Sequence, residues 1–143
     1  MSNPSQALPA GTVTFLFTDI EGSTQLWETH PESMRAALAR HDAILKEAIG
    51  SHNGYIIKST GDGVHAAFGT ALQAVSATLA AQQALGAGPW DEIEPQVIRV
   101  RMGLHTGEAE LRDGDYFGAT LNRAARIMSA GHGGQVLLSA VSA

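Results

Sequence analysis

Residues 12–24 read Thr12-Val13-Thr14-Phe15-Leu16-Phe17-Thr18-Asp19-Ile20-Glu21-Gly22-Ser23-Thr24, and their change of character halfway along decides how the chain folds. The first half is rich in β-branched and aromatic residues, and Val13, Phe15 and Phe17 fall on one face of a strand. The second half replaces that pattern with a carboxylate, a glycine and two hydroxyl residues. Ser23 or Thr24 is placed to cap a short helix through Gln25, Leu26 and Trp27. A carboxylate at a strand end can hold a hard cation through its oxygens. Free N–H groups at a helix start can hold a phosphate. Side by side, the two suit a magnesium-nucleotide, although a helix entry beside a solvated Asp19 accounts for the same residues.

The chain has 143 residues, the length of one domain, and 44% of them are hydrophobic, enough to build a core. No apolar run is long enough to cross a bilayer. Residues 1–10 lack a basic start and an apolar centre, so they read as a flexible leader rather than a secretory signal, with the domain running over 11–143. The absence of cysteine rules out disulfides, thiolate metal sites and a cysteine nucleophile, and is compatible with a reducing, cytoplasmic setting. A net charge of −5 argues against a nucleic-acid partner, which calls for a basic patch. It does not argue against a nucleotide bound through a metal.

Working outward, Pro31 to about Ser51 predicts a helix, with Met34, Ala37, Leu38, His41, Ile44, Leu45, Ala48 and Ile49 as its apolar stripe. Tyr55–Lys58 and Val64–Phe68 predict a hairpin with Asp62 at or near its tip. Thr70 and Gln73 have capping-box spacing, opening a helix to about Leu85 with Leu72, Val75 and Leu79 on its buried face. Trp90 to Gln96 reads as an acidic surface loop. Ile98, Val100, Met102 and Leu104 alternate with polar or small residues as a half-buried strand, and Thr106-Gly107 bends it into a further strand over Glu108–Leu111. A helix over Gly118–Ala130 follows, with Leu121, Ala124, Ala125 and Met128 on its apolar side. Asn122 and Arg126, four apart, share another face of it. Gln135–Ser139 begins a last strand. The order β, α, β, β, α, β, β, α, β predicts a ferredoxin-like βαββαβ sandwich, an α/β (α+β) fold with a mostly antiparallel sheet and its helices on one face.

Asp19 and Asp62 both lie at strand or turn ends, and two converging carboxylates could hold two divalent ions for in-line displacement at phosphorus. Lys58 and Asp115 stand near two turns, and an ammonium donor with a carboxylate acceptor complements an adenine edge. An arginine fork at Arg126 suits a phosphoryl transition state. Each residue alone also reads as an ordinary turn or surface position.

Taken together these segments resemble the catalytic domain of the class III nucleotidyl cyclases. Phe17–Thr24 resembles the first metal motif. Lys58-Ser59-Thr60-Gly61-Asp62 resembles the base-selecting lysine with the second metal aspartate. Arg101–Gly107 resembles the arginine strand, and Asp115–Arg126 the purine-selecting and transition-state segment. Any one motif is weak, but four in the family's order and spacing are specific.

The resemblance implies an adenylate cyclase converting ATP to 3′,5′-cyclic AMP and pyrophosphate with two divalent metal ions, magnesium or manganese. Asp19, Asp62 and the Ile20 carbonyl would hold the ions. Arg101 would contact the triphosphate, Lys58 and Asp115 would read adenine, Asn122 would position the ribose and Arg126 would stabilise charge at the α-phosphate. Guanylate-making members typically carry glutamate and cysteine at the base-reading positions, and this chain has no cysteine. The resemblance further implies a homodimer with shared sites and regulatory domains in a longer parent protein. Family domains usually continue into a further hairpin that supplies a lysine to the triphosphate. This sequence ends at Ala143, before that hairpin. Two other classes fit the outline: a cyclase-like domain that binds nucleotide and regulates a partner, and a diguanylate cyclase or polymerase palm. The Gly-Gly-Asp/Glu-Glu-Phe signature of diguanylate cyclases is absent.

Overall fold

Strand β1 spans Gly11–Ile20 and runs through the middle of a six-stranded sheet, in a computed structural model that describes residues 8–139. Helices α1 (Ser23–Thr29) and α2 (Ser33–Ser51) follow it. Next come the hairpin strands β2 (Tyr55–Ser59) and β3 (Val64–Phe68), then helix α3 (Ala71–Ala87). Strand β4 (Val100–Arg112) returns beside β1. The order β2-β3-β1-β4, antiparallel throughout, with α2 and α3 as crossovers, is the ferredoxin-like arrangement the sequence predicts. Strand β5 (Asp115–Phe117), helix α4 (Ala119–Ser129) and strand β6 (Val136–Leu138) complete the described chain. Both late strands pair with β4, β5 antiparallel and β6 parallel.

The two faces of β1 bury different sets. Leu16 and Ile20 join α2 and α3 in the larger core, with Met34, Leu45, Ile49, Phe68, Val100, Met102 and Leu104. Val13, Phe15 and Phe17 face the other way, against Ala124 of α4 and Tyr116 of β5. The expectation of helices on one face therefore holds for α2 and α3 and fails for α4. The reason lies in β4, where Gly103 and Gly107 leave room on that face. A Cβ at Gly103 would overlap the Met128 backbone, and one at Gly107 would lie 2.8 Å from Thr120 Oγ1. Without side chains there, α4 lies directly on the strand, and Thr120 Oγ1 donates to the Glu108 carbonyl at 2.5 Å.

Four local expectations change. Helix α1 is entered through Gly22 in the left-handed region (φ 67°), with no side-chain cap from Ser23 or Thr24. Helix α3 keeps its predicted cap, Thr70 Oγ1 accepting from Gln73 N at 3.1 Å, but buries Ala74, Ala77, Thr78, Ala81 and Leu85. Leu72 and Leu79 are 77% and 54% exposed. The helix is apolar nearly all round, so periodicity does not choose a face, and close packing against α2 favours the small residues. The stretch Trp90–Gln96 is not a surface loop throughout. Trp90 and Ile93 are core residues, the Trp90 indole donates to the Leu85 carbonyl at 3.1 Å, and Arg40 stacks 4.0 Å over its ring. Strand β4 runs through Thr106-Gly107 unbroken, each residue paired with β1.

Of the predicted leader, residues 1–7 lie outside the described residues, while the Pro9 carbonyl accepts from the Tyr116 hydroxyl at 2.6 Å. No helix among the described residues is long and apolar enough to cross a membrane.

Candidate active site

The register of β1 against β4 places Asp19 opposite Arg101, and paired residues of neighbouring strands share a face. Both side chains are partly buried, 19% and 28% exposed. Arg101 meets the carboxylate as a fork: Nε donates to Asp19 Oδ1 at 2.7 Å and Nη2 donates to Oδ2. The remaining Nη1 reaches the Ser129 carbonyl at 3.5 Å, at the last residue of α4. The ion pair, with weaker attraction from Glu21 and Asp62, holds the Arg101 pKa above its ordinary value.

Asp62 lies in the β2–β3 turn, and backbone contacts bring that turn to the end of β1. Ile20 N donates to the Asp62 carbonyl at 2.9 Å. Thr18 Oγ1 accepts from Val64 N at 2.9 Å and donates to the Val64 carbonyl at 3.3 Å. Gly63 fits between them because a Cβ there would overlap the Thr18 carbonyl oxygen. Asp19, Asp62 and Arg101, with the Ile20 backbone, thus occupy one corner of the sheet. Leaving aside Arg101, which offers only N–H groups, the Asp19 and Asp62 carboxylates and the Ile20 carbonyl could supply the oxygen donors that magnesium or manganese takes, ions that complete their shells with water and phosphate. Among the described residues no cluster of three or more acidic, histidine or cysteine side chains makes a closed metal cage.

The other predicted residues lie on β2, β5 and α4. Lys58 pairs with His65, which stacks on Phe17 at 3.8 Å with the rings 6° from parallel. Burial and the neighbouring Lys58 charge lower the His65 pKa. Asp115 opens β5, its Oδ1 accepting from Tyr116 N at 2.8 Å. Tyr116 packs edge-on to Phe15 at 5.1 Å, and its pKa is raised by burial and by nearby Tyr55. The β4–β5 hairpin therefore folds back over the sheet face. Lys58 is thus opposite His65 of the Phe17–His65 pair, and Asp115 precedes Tyr116 of the Phe15–Tyr116 pair. Asn122 and Arg126 are exposed on α4, whose sheet-facing residues include Leu121, Ala124, Ala125 and Met128. Among the described residues, the side chains of Lys58, Asn122 and Arg126 make no hydrogen bond or ion pair.

The sequence reading did not find the Arg101–Asp19 fork or the Phe17–His65 and Phe15–Tyr116 contacts. Each joins residues far apart in the chain, and only strand register brings them together. Alternation in both strands was the available signal, since Phe17, Asp19 and Arg101 all carry the parity that ends up facing α4.

The model of the adenylate and guanylate cyclase catalytic domain matches residues 5–143. An uncharacterized protein of Mycobacterium tuberculosis is 44% identical over 140 residues, covering 96% of this chain and 46% of that protein. An adenylate cyclase of Lachancea kluyveri is 35% identical over 159 residues, covering 95% of this chain and 9% of the yeast protein. The chain thus spans less than half the length of these relatives. Among solved structures, an adenylate cyclase from Trypanosoma brucei in its monomeric state superimposes with a TM-score of 0.84 at 28% identity. That match covers 99% of this chain and 77% of the other.

Proposed function

The chain belongs to the adenylate and guanylate cyclase catalytic domain family, and on that premise we propose that it converts ATP to 3′,5′-cyclic AMP and pyrophosphate at sites shared between two copies of itself. The observation that carries this reading is the separation of the candidate residues into two groups. Asp19, Asp62 and Arg101 share one corner and are tied to one another. Lys58, Asn122 and Arg126 reach outward from their own chain, and Asn122 and Arg126 lie on the side of α4 away from the sheet. Two copies related by a two-fold axis bring the first group of each against the second group of the other, making two equivalent sites.

In that arrangement Lys58 donates to an adenine ring nitrogen while Asp115 accepts from the exocyclic amino group. Guanine presents a carbonyl at that position, which a carboxylate repels. Asn122 fixes the ribose so that its 3′-oxygen stands in line with the α-phosphorus, which removes the orientational cost of the encounter. The new bond forms between that oxygen and the α-phosphorus as the bond to the bridging oxygen of pyrophosphate breaks. The hydroxyl proton leaves to solvent. Arg126 donates to the non-bridging oxygens of the α-phosphate, where charge develops. Arg101 holds the departing pyrophosphate. Divalent ions held by Asp19, Asp62 and the Ile20 carbonyl would supply a lowered pKa at the 3′-hydroxyl and neutralise the polyphosphate.

The test is purified protein incubated with ATP or GTP and with magnesium or manganese, the product identified by mass. Cyclic AMP from ATP, lost in Asp62→Ala, supports the reading. Cyclic GMP from GTP with no cyclic AMP overturns the base assignment, and no cyclic product from either nucleotide overturns the activity.

A further inference from the structure

We propose that Arg101 is a latch on the metal site: its guanidinium closes both oxygens of Asp19 until a divalent ion displaces it, and the freed arginine then turns to the polyphosphate. The inference rests on the reading of Asp19 as a metal ligand and adds a competition that this reading does not contain.

The geometry points to competition because the fork leaves neither carboxylate oxygen uncommitted. Nε takes Oδ1 and Nη2 takes Oδ2, a bidentate pair in the fork geometry that arginine matches best. The contact is fixed by the fold. Asp19 and Arg101 face each other in an unbroken ladder from Gly11↔Ala109 to Ile20↔Val100. Nη1 lies at the same time 3.5 Å from the Ser129 carbonyl, a weak contact beside the strong fork. A dication arriving at Asp19 would meet a fixed positive charge beside its ligand. Both cannot be held closely by one carboxylate without strong repulsion in a partly buried corner. Once an ion neutralises Asp19, the strongest partner of Arg101 is lost. A polyphosphate carried with the ion offers the guanidinium an equivalent bidentate partner. Such a latch would make metal binding weak in the empty chain and strong only when nucleotide arrives with the ion. Exchange of one carboxylate-bound partner for another then couples the two.

The measurement is manganese affinity without nucleotide, followed by the electron paramagnetic resonance of free Mn2+, for the wild-type chain, Arg101→Gln and Arg101→Lys. Circular dichroism establishes that each variant is folded, and Asp19→Asn shows how much of the bound ion sits at this carboxylate. Arg101→Gln is expected to bind Mn2+ about tenfold more tightly, the size of one charge-assisted pair removed. Arg101→Lys, which keeps the charge but cannot fork, should also bind more tightly than wild type. Unchanged or weaker binding in Arg101→Gln overturns the latch. Tighter binding in Arg101→Gln with Arg101→Lys at the wild-type value also overturns it, because a general field effect then suffices. No binding in any chain overturns it as well. None of these results depends on turnover, so a failure of the latch and a failure to make cyclic nucleotide are separate outcomes.

Discussion

Asp62 owes its position to its neighbours more than to itself. Gly63 admits the close passage of Thr18, Thr18 Oγ1 bonds both backbone groups of Val64, and Ile20 N holds the Asp62 carbonyl, so the turn carries the carboxylate to the end of β1. Asp19 and Asp62 stood out in the sequence because one lies at the end of an apolar strand and the other between two glycines in a turn. The pairing of Asp19 with Arg101 was not legible, because 82 residues separate them and no local pattern states a register. Lys58 and Asp115 stand between these cases. Their types suggested an adenine edge, while the aromatic pairs beside them, Phe17–His65 and Phe15–Tyr116, became visible only in the folded sheet. Lys58→Glu combined with Asp115→Cys should lower kcat/KM for ATP by at least about tenfold, the loss of one good hydrogen-bonding pair. A gain of GTP use need not follow. Steady-state kinetics of the double variant decides, and unchanged ATP turnover would mean that these residues do not read the base.

Among the elements, β1, β2, β3, β6 and the Gly118–Ala130 helix were read almost to their ends, because alternation and a one-sided apolar stripe each specify a face, whereas β4 was split in two and β5 was not expected. Helix α3 shows where that logic stops. Alanine fills so much of its surface that Leu72 and Leu79 looked like the buried stripe, yet the packed side is Ala74, Ala77, Ala81 and Leu85. The Trp90–Ile93 segment was misread for a related reason. Asp91 and Glu94 are exposed while Trp90 and Ile93, only three apart, carry it into the core. These assignments separate in a denaturation experiment. Leu85→Ala should cost about 2–5 kcal/mol, the usual loss for a buried leucine. Leu79→Gln, at a position 54% exposed, should stay within about 0.5 kcal/mol of wild type. Urea midpoints at equal slope give both numbers, and the reverse order would return the buried stripe to the leucines.

For the molecule as a whole, three histidines lower stability on the acid side. His41 is completely buried, with Nδ1 2.8 Å from Asp42 Oδ1 and no partner for Nε2 among the described residues. Burial lowers its pKa against the opposing pull of Asp42 and Asp62, and burial likewise lowers His65 and His105. The unfolded chain therefore binds protons before the folded chain does. The stability these groups give is complete above about pH 6.5 and falls as the pH drops below it. Urea unfolding at pH 7.5 and 5.5 should show lower stability at the acid value, with a smaller difference in His41→Phe; equal stability at both would contradict the assignment. The fold topology was legible because two βαβ units leave few ways to order four strands. The proposed assembly was less so, since the residues that would complete the site belong to a second copy of the chain. Complementation tests that assembly most directly. Asp19→Ala and Asn122→Ala should each be inactive alone. Mixed in equal amounts under conditions where chain exchange is demonstrated, they should recover about a quarter of wild-type cyclic AMP formation, because half the dimers then hold one intact site of two. No recovery despite demonstrated exchange would contradict a site shared between two chains.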